Sequence, residues 1–91
     1  MLSDVQIYKQ NFVIIYVNVE IMTTKEILKE IGRNIKCIRE ERNILQQDLA
    51  AMCNFEVSAM SRIEAGGSNF TVGTLNKIAT ALGVPVKDLF R

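Results

Sequence analysis

Residues 46–67 read Gln46-Gln47-Asp48-Leu49-Ala50-Ala51-Met52-Cys53-Asn54-Phe55-Glu56-Val57-Ser58-Ala59-Met60-Ser61-Arg62-Ile63-Glu64-Ala65-Gly66-Gly67, and the fold is decided there. Leu49, Ala50 and Met52 give an inward face to a short helix from Gln46 to Met52 or Cys53. Met60 and Ile63 do the same for a helix over Val57 to Glu64. Between them stands Asn54, a residue that tolerates the left-handed conformation in which helices stop. Gly66-Gly67-Ser68 breaks the second of the two helices. Two short helices joined by so tight a turn project the second outward, away from the core.

The flanking sequence supplies the rest of an all-α domain. Thr23-Thr24-Lys25-Glu26 offers a Thr-x-x-Glu capping box to an earlier helix ending near Arg42. Ile27, Ile31, Ile35 and Ile38 form its apolar stripe, and Lys29, Arg33, Lys36 and Arg39 a cationic row that by itself reads as a solvated face. Downstream, Thr71 caps a helix whose core face is Val72, Leu75, Ile78, Ala79 and Leu82, with Gly83 at its end. Pro85 suits the first turn of a last short helix ending around Phe90. The expectation is a compact five-helix domain over residues 23–91, preceded by an extension over residues 1–22.

That extension has a different character. Phe12-Val13-Ile14-Ile15-Tyr16-Val17 is aromatic and β-branched, and Val17, Val19 and Ile21 then alternate with Asn18 and Glu20, which predicts a β-strand over about 12–21. One strand needs a partner for its backbone groups. Three explanations compete: a ribbon between two copies of the chain, strand addition to another protein, and a biological start at Met22.

Composition removes whole classes of function. The 91 residues hold no His, so an imidazole base, a Ser-His-Asp triad and a His-ligated metal are all excluded. No glycine-rich phosphate loop or paired carboxylates replace them, and neither an enzyme, a cofactor nor a metal is expected. The two cysteines, Cys37 and Cys53, are too few for a disulfide scaffold and read as free, buried thiols in a reducing compartment. The longest apolar run, Phe12 to Val17, is too short to span a bilayer and lacks the flanks of a signal peptide, so a cytoplasmic protein without membrane contact is expected. Eleven Lys and Arg against ten Asp and Glu leave a net charge of +1. From Met22 onward the balance is ten against eight, so affinity for a polyanion must come from where the charge sits.

Gln46-Gln47-Asp48-Leu49-Ala50, followed by Met60-Ser61-Arg62-Ile63-Glu64-Ala65-Gly66, resembles the helix-turn-helix of phage Cro and repressor proteins, the xenobiotic-response-element family. That family places Gln-x-x-Leu-Ala on its second helix and Ile-Ser-x-Ile-Glu-x-Gly across its third. The likeness extends through Thr74-Leu75, Ile78-Ala79 and Ala81-Leu82-Gly83-Val84 to Leu89-Phe90, over about residues 31–90.

The resemblance implies a transcriptional regulator that binds double-stranded DNA as a homodimer on a palindromic operator, the third helix in the major groove. It places Gln46 and Gln47 at the start of the second helix, where Gln46 bonds a phosphate. It puts Val57, Ser58, Ser61 and Arg62 within reach of base edges, and makes Gly67, Ser68 and Asn69 a phosphate-binding loop with Gly66. An Arg at position 62 can give two parallel bonds to guanine. Arg39 and Glu64 correspond to a structural salt bridge of the family. A phage-type repressor, a restriction-modification controller and an antitoxin all fit this size, and Asn69-Phe70-Thr71-Val72-x-Thr74-Leu75 leans towards the controllers.

Four departures stand out: Leu45 where a capping Ser or Thr is usual, Asn54 for the turn Gly, Glu56 near the start of the third helix, and Phe70 for Pro. Glu56 suits the helix dipole but repels a nearby phosphate. With the modest charge, it keeps an alternative open: a protein-interaction module of the same fold whose N-terminal strand captures a partner.

Overall fold

A computed structural model describes residues 22–90. The first helix, α1 (Thr24–Glu41), begins at the capping box. The Thr23 amide donates to Glu26 Oε1 at 2.9 Å and the Glu26 amide donates to Thr23 Oγ1 at 3.1 Å. The helix ends where Asn43 turns left-handed at φ 57°, a conformation open to Asn at low cost. There follow α2 (Gln46–Met52), α3 (Val57–Glu64) and α4 (Val72–Leu82), the last capped by Thr71 Oγ1 on the Thr74 amide at 3.1 Å and closed by left-handed Gly83.

Two expectations about the architecture are corrected. Among the described residues there are four α-helices, not five, and no strand. The segment expected as a fifth helix, Val86–Phe90, is a 3-10 helix. Pro85 contributes no N–H, the Asp88 amide bonds Pro85 O at i to i+3, and five residues leave little room for an i to i+4 ladder. The strand expected over 12–21, with its proposed pairings, lies outside the described residues.

One core joins the elements. Ile31, Ile35 and Ile38 of α1 meet Leu49, Ala50 and Cys53 around α2, Met60 and Ile63 of α3, Leu75, Ile78 and Leu82 of α4, and Leu89 of the 3-10 helix. Each fully buried Ile or Leu contributes about 1.5–3 kcal/mol of transfer free energy. Asn34 reaches across from α1 to hold the last turn, its Nδ2 donating to Leu89 O at 2.9 Å. Four residues expected inside lie outside. Ile27 and Val72 sit at the first turns of their helices, beyond the end of the core, and Val72 is 73% exposed. Met52 and Cys37 fall between the buried rows of α2 and α1 and face out.

The backbone of α1 comes close to the end of α3. A Cβ on Gly32 would fall 2.5 Å from the carbonyl oxygens of both Ile63 and Glu64, so only glycine lets the two backbones meet. At the same junction Gly66, at φ 77°, lies against the backbone of Lys29. These contacts fix the position of α3 on the domain.

Candidate nucleic-acid interface

On α3, Met60 and Ile63 are buried and Ala59 is half-buried, which turns Val57, Ser58, Ser61 and Arg62 to solvent. Those positions, spaced i, i+1, i+4 and i+5, make one outward face. It carries an exposed isopropyl group, two hydroxyls and a guanidinium. Among the described residues the Arg62 side chain makes no ion pair, so its donors stay available to a ligand.

Behind that face lies a buried polar junction. Arg39 Nε donates to Glu64 Oε2 at 2.7 Å and Nη2 donates to Oε1 at 3.1 Å, a bidentate pair with side chains only 9% and 5% exposed. The hydrogen bond to Glu64 raises the Arg39 pKa against the lowering effect of burial, so the guanidinium remains charged. Its third donor, Nη1, reaches Ile44 O at 2.8 Å and so also holds the turn between α1 and α2. Gln46 Nε2 donates to Glu64 Oε1 at 3.0 Å. One carboxylate therefore ties together the first three helices. Lys36 and Ser61 line the same shallow cleft beside Arg39, Gln46 and Glu64.

The other expected residues are distributed around these two features. Gln47 is exposed at the start of α2, and α2 begins without a side-chain cap at Leu45. The turn between α2 and α3 uses Asn54 at φ 60°, with the Phe55 amide bonded to Ala50 O at 2.8 Å. After α3, the Gly66 amide bonds Ile63 O and the Gly67 amide bonds Arg62 O at 2.9 Å, the paired closure of a Schellman motif. The Gly67 N–H thus closes the helix. Among the described residues, the amides of Ser68 and Asn69 make no backbone hydrogen bond. Glu56 stands exposed at the start of α3 without capping it.

Gly32 and Lys36 were missed from the sequence. A lone glycine inside an otherwise amphipathic helix was the available signal for Gly32. Lys36 belonged to the cationic row, and nothing in its spacing distinguished it from its neighbours.

A helix-turn-helix family model, HTH_3, matches residues 35–89, well over half of the chain. The chain belongs to this family. Its members are transcriptional regulators and repressors, not enzymes. The chain is 39% identical over 59 residues to an immunity repressor protein of Bacillus phage phi105, a match covering 65% of this chain but 41% of that one. The family member thus corresponds to less than half the length of that relative. It is 37% identical over 59 residues to control protein C.BamHI of Bacillus amyloliquefaciens, covering 64% of this chain and 73% of the relative. Among solved structures it is similar to the restriction-modification controller protein C.Esp1396I, as a tetramer in complex with its natural 35 base-pair operator. That likeness has a TM-score of 0.62 at 29% identity and covers 71% of this chain and 96% of that one. Among the described residues, no helix is long and apolar enough to cross a membrane.

Proposed function

We propose that this chain is a sequence-specific transcriptional regulator that binds a palindromic operator as a homodimer, with α3 in the major groove. The observation that carries this reading is the outward face of α3, where Arg62 has no ion-pair partner among the described residues, on a helix fixed from behind by Gly32 and by the Arg39–Glu64–Gln46 junction. A reading helix must be held rigidly if its side chains are to discriminate between bases.

In this reading Arg62 donates two bonds to guanine O6 and N7, Val57 touches a thymine methyl, and Ser58 and Ser61 bond bases or phosphate. Gln46 and Gln47 contact phosphate at the start of α2. The Gln46 side chain, oriented by Glu64, presents itself already ordered. The loop after α3 offers Ser68 and Asn69 amides to the backbone, while Gly66 and Gly67 shape that loop. Residues 23–91 form the DNA-binding unit, and residues 1–22 an extension to it. The relation to a phage repressor and to control proteins supports a regulator of that type, acting in the cytoplasm.

Two-fold symmetry sets the spacing: half-sites lie about 10 base pairs apart, so that both α3 helices enter the same side of the duplex. Footprinting of the purified chain on DNA from upstream of its own gene tests this. The expected result is two protected half-sites one helical turn apart, occupied by two chains. A single protected half-site saturated by one chain would overturn the dimeric reading.

A further inference from the structure

One surface feature has no part in the DNA-binding face. A groove of about 250 Å³ runs between the first turns of α1 and the terminal 3-10 helix, lined by Met22, Ile27, Glu30, Ile31 and Phe90. Met22, Ile27 and Phe90 are large apolar side chains left substantially exposed there. Glu30, the one ionisable group in the lining, has its carboxylate turned to Arg33 at 2.8 Å. None of the lining residues belongs to α2 or α3.

We propose that this groove is the docking site for residues 12–21 of the same chain. The described chain begins at Met22, and Met22 is itself a wall of the groove, so the preceding residues depart from its rim. They are the right chemistry. Eight of the ten residues from Phe12 to Ile21 are apolar, with Asn18 and Glu20 the two exceptions, so docking strips water from almost nothing charged. They also need cover, since a run such as Phe12-Val13-Ile14-Ile15-Tyr16-Val17 is a large apolar surface to leave in water.

Size decides between this occupant and a second copy. A stable interface between separate chains takes about 800 Å² from each partner, and a groove of about 250 Å³, room for one or two side chains, offers far less. A tethered segment has a high effective concentration and loses little translational freedom, so a small groove suffices for it. Docked there, residues 12–21 complete the domain next to both ends of the described chain and are no longer free to capture a partner.

The chain contains no Trp, so Phe90→Trp in the full-length protein gives a single reporter in the groove wall. The expected emission is that of a buried indole at every protein concentration. Combining it with Phe12→Ser, Ile14→Ser, Ile15→Ser and Val17→Ser shifts the emission to the red while the helical circular dichroism is kept. Exposed-type emission before those changes, the same emission after them, or burial that develops only as protein concentration rises would each overturn the proposal, the last in favour of a second copy. Amide hydrogen exchange of the unsubstituted chain reads the same point without any substitution. Slowed exchange over residues 12–21 is expected, and free-peptide rates there would overturn the proposal.

Discussion

Glu64 accepts from Arg39 Nε and Nη2 and from Gln46 Nε2 within a largely buried junction. Glu64→Ala leaves the Arg39 charge buried without a partner and is expected to cost about 3–5 kcal/mol of stability. A urea titration reads this, and an unchanged midpoint would show the pair to be solvated. The raised Arg39 pKa sets the sign of its pH dependence: the stabilisation is present below the unfolded-state value and lost only as pH rises through the higher folded one. No loss from Arg39 is therefore expected between neutral and mildly alkaline pH. The cysteines divide by environment. Burial raises the Cys53 pKa and shields its thiol, whereas Cys37 is exposed. One thiol, Cys37, is expected to alkylate rapidly and the other only on unfolding; equal rates would contradict the packing around Cys53. The exposure of Cys37 was readable in principle, since at about 100° per residue it lies about 200° around the helix from Ile35. Amphipathic surroundings alone did not distinguish it from Cys53.

At the scale of elements, short-range signals were the most legible. The Thr23 capping box, the turns at Asn54 and Gly66, the Thr71 cap and the Gly83 stop depend on local backbone chemistry and stand where the residues place them. Less legible was whatever depends on the ends of the core: Ile27 and Val72 follow the helical period yet overhang it. The approach of α1 to α3 at Gly32 was illegible for a related reason, because it joins residues distant in sequence. Gly32→Ala forces a methyl group into two carbonyl oxygens and is expected to destabilise the domain by about 1–3 kcal/mol. It should also weaken DNA binding, since α3 must move; full stability in thermal melts would show that the helices can separate freely. Leu45→Ser works in the opposite direction. It supplies the side-chain cap that α2 lacks, with an expected gain of about 0.5–1 kcal/mol in the same assay.

For the whole molecule, the near-balance of charge shapes the interaction with DNA. With ten basic and eight acidic residues from Met22 onward, bulk attraction is weak, and in the proposed reading affinity rests on placed contacts and on two copies acting together. The central claim is that α3 reads base sequence, and Arg62 is the residue on which it turns. The most direct measurement is a fluorescence-anisotropy titration of the full chain and of Arg62→Ala. Both are titrated against DNA from upstream of the gene and against a scrambled duplex, at about 50 and 200 mM salt. The expected result is binding that prefers the upstream duplex, weakens with salt, and loses about 1–3 kcal/mol of that preference on Arg62→Ala. Equal affinity for both duplexes, unchanged by Arg62→Ala and by salt, would contradict it and leave the fold as a module for binding protein.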